Sequence, residues 1–127
     1  MVSSYRDLTV WQRAMELVER IFLLTPKLPR EQVYGLSAQM QRAVVSVPSN
    51  IAEGHARKST REYLHFLSIS LGSLAELETQ LILCERLKFL SADDVGQVLG
   101  VADEVGKMIR GVQGAGGEAG DEGDEHG

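Results

Sequence analysis

Four stretches of this chain repeat apolar residues at steps of three and four, the spacing that gathers them on one side of an α-helix. No strand-type alternation of apolar and polar residues survives over a useful length. The connections between the stretches are short, which makes consecutive helices antiparallel neighbours. The pattern predicts an all-α protein, an antiparallel up-and-down four-helix bundle occupying residues 1–112. With 127 residues the chain can bury a real core, about two-thirds of its unfolded surface.

The first helix is expected from about Leu8 to Leu24, with Asp7 as its N-cap. Two apolar stripes lie side by side on it. One holds Leu8, Trp11, Met15, Val18 and Phe22; the other holds Val10, Ala14, Leu17, Ile21 and Leu24. Together they make an arc wider than one bundle core needs. The expectation is that Val10, Ala14, Leu17 and Ile21 meet sister copies of the chain. Pro26 and Pro29 end this helix.

The second helix is expected to begin between Arg30 and Gly35 and to reach about Ala56. Its apolar stripe is Val33, Leu36, Met40, Val44, Val47 and Ile51. A polar stripe runs beside it through Gln39, Arg42, Ser46, Ser49 or Asn50, Glu53 and Arg57. Pro48 removes a backbone donor and crowds the carbonyl of Val44, which predicts a kink. Ser46, Ser49 and Asn50 are placed to take up the freed backbone groups.

The third helix is expected from Thr60 to Lys88, with Ser59 as N-cap and Glu62 three residues on, the capping-box pattern. Leu67, Leu74 and Leu81, with Tyr63, Ser70, Leu77 and Cys84, form its inner face. Gly72 and Ser73 in mid-helix predict close approach by another helix. The fourth helix is expected from Ala92 to Gly111, capped by Ser91. Val95, Val98 or Leu99, Ala102, Val105, Ile109 and Val112 mark its inner side, and Gly96, Gly100 and Gly106 weaken it.

Charge divides the chain in two. Residues 113–127 are glycine-rich and carry Glu118, Asp121, Glu122, Asp124 and Glu125 without a Lys or Arg. Their five negative charges equal the net −5 of the whole chain, so the body is formally neutral. Such a tail cannot offset its ordering entropy by burial and is expected to be disordered. It reads as a solubilising extension or as an acidic strand competing for a basic surface. A neutral body means that nucleic-acid contact would have to come from local clustering. No apolar run approaches the roughly 20 residues needed to cross a bilayer, so no membrane partner is expected. There is no signal-peptide order at the N-terminus. The single cysteine, Cys84, cannot form an intrachain disulfide, and a reducing cytoplasm is the expected home.

Few residues suggest chemistry. Glu62 and His65 form one Glu-x-x-His, whereas di-iron bundles need two copies and two further glutamates. Cys84 on an apolar face reads as a buried thiol. Phosphate loops, nucleophile elbows and paired zinc motifs are missing from the sequence. The expectation is no catalytic residue, no cofactor and no metal. The strongest basic cluster is His55, Arg57, Lys58 and Arg61, with His65 one turn further on, where the second helix turns into the third. Backbone donors at the start of the third helix add positive potential there. A solvated turn is the plainer account, and a phosphate contact is the functional one.

The segment Ser46-Val-Pro-Ser-Asn-Ile-Ala-Glu-Gly54, followed by Arg57, resembles the bacterial four-helix bundle proteins named for the intervening sequences of 23S ribosomal RNA genes. Asp7-Leu-Thr-Val-Trp-Gln12, Tyr34-Gly-Leu, the Gln39 to Arg42-Ala43 stretch and Gly72-Ser-Leu-Ala-Glu76 are similar to that family in order and spacing. The resemblance covers about residues 5–112. It implies an antiparallel bundle that assembles as a homo-oligomer, with a homopentamer the best-known arrangement. It marks Gln39, Arg42, Ser46, Pro48, Asn50, Glu53, Gly54, Arg57 and Glu76, and it brings no catalytic role. A related branch serves diversity-generating retroelements, where a basic pentamer binds nucleic acid and a reverse transcriptase. This chain departs from that branch in its neutral body and acidic tail.

Two functions follow as expectations. One is an oligomeric nucleic-acid-binding or nucleoprotein accessory module in which Arg42, Arg57, Lys58 and Arg61 contact RNA or DNA. The other is a scaffold for another protein, with no nucleic-acid role. The polar stripe of Gln39, Ser46, Asn50, Glu53 and Glu76 also has a purely structural reading, hydrogen bonding between helices to fix register.

Overall fold

The structure, a computed structural model, describes residues 4–116. Among them there are four α-helices and no strands: α1 Thr9–Leu24, α2 Leu36–His55, α3 Thr60–Arg86 and α4 Ala92–Gly114. Short 3-10 turns at Tyr5–Asp7, Thr25–Lys27 and Arg30–Gln32 fill the approach to α1 and the α1–α2 connection.

Contacts at both ends of each pair fix an antiparallel order. Between α2 and α3, Met40 lies against Cys84, Ser46 against Ser73, and Gly54 against Tyr63 and Phe66. Arg13 of α1 reaches Glu104 of α4, and Lys27, in the turn that follows α1, reaches Asp94 at the start of α4. Gly106 of α4 meets Leu74 of α3, and Gln113 meets Ser68. Each helix thus packs on its chain neighbours, and α1 closes the ring onto α4. The leucines at a spacing of seven on α3 are buried, as are Tyr63, Ser70, Leu77 and Cys84 between them.

The first helix faces the other way from the expectation. Val10, Ala14, Leu17 and Ile21 are buried in the chain's own core and are not available to a sister copy. The stripe with the large rings is the outer one: Trp11 and Val18 are half-buried, while Met15 and Phe22 are 39% and 45% exposed. Val10, Ala14, Leu17 and Ile21 fill the close-packed interior at 0–3% exposure, while the rings of the other stripe lie on the outside. Val33 also leaves its expected place. α2 starts only at Leu36, and Val33 lies exposed in the preceding turn.

Helix ends follow the caps in two cases and not in a third. Ser59 Oγ accepts from the Glu62 amide at 3.2 Å, and Ser91 Oγ accepts from the Asp94 amide at 3.1 Å. At α1 the N-cap is Leu8, which has no side-chain acceptor, because Asp7 is drawn into the preceding 3-10 turn. α3 ends one turn before Phe89, whose amide donates to the Cys84 carbonyl at 2.8 Å across Lys88. Lys88 takes the left-handed conformation at φ 63°, a place glycine usually fills.

α2 runs on through Pro48. Ser49 Oγ donates to the Val45 carbonyl at 2.7 Å and the Asn50 amide to the Ser46 carbonyl at 2.8 Å, beside the carbonyl of Val44 that the proline leaves without its donor. Of the expected pair Gly72 and Ser73, Ser73 meets Ser46 of α2, but the glycine that close helix approach requires is Gly54, not Gly72. A Cβ on Gly54 would sit 2.7 Å from Phe66 Cβ, whereas nothing lies within 4 Å of one on Gly72. α4 continues to Gly114, past the expected boundary at residue 112, because the Gln113 amide bonds Ser68 Oγ on α3 at 3.3 Å. The acidic residues of the tail lie outside the described residues. α3 is the one helix among the described residues that is long and apolar enough to cross a membrane by length and composition only, a test that the core helix of a bundle also passes.

Candidate interaction surfaces

Among the described residues no three His, Cys, Asp or Glu side chains come together to hold a metal. The Glu62 amide caps onto Ser59, and its carboxylate lies 4.0 Å from Arg57. His65 stands edge-on to Phe66. Cys84 is buried with Sγ 3.7 Å from the Met40 sulfur, and burial pushes its thiol up from the ordinary value.

Three surfaces remain. The first is the corner between α2 and α3. Arg57 is fixed there: its guanidinium donates to Glu53 at 2.7 Å and lies 4.9 Å from the centre of the Phe66 ring. Pairing with Glu53 and Glu62 offsets part of its charge. Lys58 and Arg61 are exposed and make no ion pair among the described residues. Arg42 does not join them. It precedes Arg57 by 15 positions, about four helical turns and about 22 Å along α2.

The second is the polar stripe, which becomes a hollow once α2 and α3 are in register. Asn50 Nδ2 donates to Ser46 Oγ at 2.9 Å, and Ser46 Oγ shares a hydrogen bond with Ser73 Oγ at 2.8 Å. Gln39, Arg42, Ala43, Ser46, Ser73 and Glu76 line a space of about 230 Å³. Glu53 points away from it to Arg57. Arg42 and Glu76 are exposed, and neither makes a hydrogen bond or ion pair among the described residues. Ser73 was visible in the sequence only as a small residue, because its partner lies 27 positions away.

The third is apolar and runs along α1 and α2. Phe22, Ala38, Gln41, Arg42, Val45 and Ser46 border a groove of about 570 Å³. A second recess of about 260 Å³ continues it past Val45, Met15, Val18 and Trp11 to Tyr5. Tyr5 packs edge-on against Trp11, ring centres 5.3 Å apart. The sequence held this signal as the Trp11–Phe22 stripe, but amphipathicity alone did not say which stripe the core would take.

The bundle, the Ser46–Gly54 segment of α2 and its contacts with α3 agree with one sequence pattern. Residues 6–111 match the family described as 23S rRNA-intervening sequence protein. The chain belongs to this family. A solved structure supports the membership: a protein of unknown function from the S23 ribosomal protein family of Bacteroides thetaiotaomicron is similar at a TM-score of 0.77 and 25% identity, covering 82% of this chain and 97% of that one. A comparison with curated proteins gave no match. Within this intervening-sequence family member, Ser46 and Gly54 of the motif meet α3, while Asn50 bonds Ser46 within α2 and Pro48 lines the α1–α2 recess.

Proposed function

We propose that this intervening-sequence family protein is a non-catalytic module that self-associates and uses the repeated α2–α3 corner to contact the phosphates of RNA or DNA. The apolar α1–α2 face carries the reading. Met15, Phe22 and Val45 are 39%, 45% and 43% exposed and adjoin half-buried Trp11 and Val18, a contiguous patch rather than scattered residues. Ile82 on α3, 46% exposed, lies one turn beyond Glu78 on the side facing α4. Unlike apolar surfaces on different sides suit head-to-tail association, which makes a ring when the rotation between copies closes. A pentamer, as the family resemblance implies, is one such ring.

Assembly is what makes the corner useful. Lys58 and Arg61 of one copy are a weak phosphate contact, but several copies add their charges and make binding salt-sensitive. The buried Cys84 thiol suits a cytoplasmic setting. A protein scaffold is the second reading, favoured by the same apolar groove. Gel filtration with light scattering, recording the absorbance ratio for co-purifying nucleic acid, tests assembly. Binding to structured RNA and to DNA over a salt series tests the corner. We expect a multimer that Phe22→Asp disperses, and binding that Lys58→Glu with Arg61→Glu removes. A lone subunit at high concentration would overturn the assembly. Affinity indifferent to the charge reversal would end the nucleic-acid reading and leave the scaffold.

A further inference from the structure

The hollow between α2 and α3 is self-complementary in charge. It holds one cation, Arg42, on α2 and one anion, Glu76, on α3. Both are exposed, and neither pairs with the other or with any described group. The floor between them is already satisfied, since Ser46 and Ser73 bond each other and Asn50 bonds Ser46. Arg42 and Glu76 are thus the two charges of the hollow open to an incoming surface.

We propose that this face docks a second copy of the same chain about a two-fold axis running along the hollow, between the two charges. Such an axis sets Arg42 against the partner subunit's Glu76, and Glu76 against the partner subunit's Arg42. A foreign partner would have to present both charges inverted at matching separation, whereas a copy of this chain brings them by symmetry. Apolar surface is available on the same helix. Ile69 and Leu83 lie seven residues to either side of Glu76 on α3 and are 38% and 42% exposed. Gly72 leaves open space between Ile69 and Glu76 where another helix can approach. The contact is isologous, so it differs from the head-to-tail contact through α1 and would pair two rings, or two single chains if no ring forms. It assigns Arg42 to protein rather than to nucleic acid.

The test uses the full chain in a Met15→Asp background, which disrupts the apolar contact at a residue that does not line the hollow or border Arg42. Sedimentation velocity at low salt should show a monomer–dimer equilibrium that shifts toward monomer as salt rises. Arg42→Glu and Glu76→Arg each juxtapose like charges twice in the dimer, and each should weaken it by at least about tenfold. An equimolar mixture of the two variants should dimerise again, because one then carries two acids and the other two bases. The double exchange should also restore the dimer. Circular dichroism melts check that each variant folds. Absence of a dimer in the Met15→Asp background, or failure of the mixture to restore it, overturns the inference. If the ring reading fails instead, Met15→Asp and the native chain will both be dimers, and both will respond to Arg42 and Glu76.

Discussion

Replacing Gly54 with alanine should destabilise the protein although alanine is the better helix former. In an exposed helix interior the exchange gains at most about 1 kcal/mol. At Gly54 the new Cβ would meet Phe66 Cβ at 2.7 Å, Tyr63 Cδ1 at 3.1 Å and the Tyr63 carbonyl at 3.3 Å. Carbon atoms pack best at about 3.5–4.0 Å, so the first contact is short by about 1 Å. Neither a Cβ nor a backbone carbonyl can swing aside, and α2 and α3 must separate at the corner that holds Arg57 against Phe66. Overpacking of this kind costs about 1–3 kcal/mol. The net loss should be about 1–2 kcal/mol, lowering Tm by about 4–8 °C for a domain near 100 residues. Gly100, exposed on α4 with nothing within 4 Å of a Cβ, is the matched control. Gly100→Ala should raise Tm by up to about 4 °C. Thermal melts of the two variants beside the native chain decide the matter. A Gly54→Ala protein as stable as the native one would refute the argument that close α2–α3 packing requires glycine there.

Two further outcomes follow from polar groups on α2 and α3. Asn50→Leu removes the amide that bonds the Ser46 carbonyl and hydroxyl, and should cost about 1 kcal/mol, read as a lower Tm or urea midpoint; unchanged stability would show that these bonds within α2 contribute nothing. Glu78 is half-buried on α3, and burial, with Asp103 nearby, lifts its carboxyl above the ordinary 4.5 against a smaller opposing pull from Arg110. Its folded pKa is raised, so its contribution to stability is complete below the unfolded value and is lost as pH rises through the folded one. Glu78→Gln should therefore raise Tm at pH 7, with the gain vanishing at more acid pH; a gain that persists unchanged below the ordinary carboxylate range would show that titration is not its cause.

The contrast between helix faces shows what a linear pattern can carry. Helix identity and order were legible because apolar spacing and capping are local: Ser59 and Ser91 cap where they stand in sequence, and Leu67, Leu74 and Leu81 are buried as their spacing requires. Local signals failed where two local solutions compete. Asp7 lost the cap of α1 to a 3-10 turn, and Lys88 took a left-handed position that usually announces itself as glycine. The candidate site was less legible still. Its residue types were visible on α2, but Ser73, Glu76 and Phe66 join them only through the register of α3.

By itself the sequence determined that four amphipathic helices form, in which order, and to which family they belong, because each property depends on residues within a turn or two or on a motif of fixed spacing. Only the tertiary structure decided which stripe of α1 the core would accept, that Gly54 and not Gly72 is the glycine that close helix approach requires, and that Arg42 faces Glu76 rather than the basic corner. Those outcomes depend on volumes and charges brought together from helices far apart in the chain, and steric fit between them is not written in either helix alone.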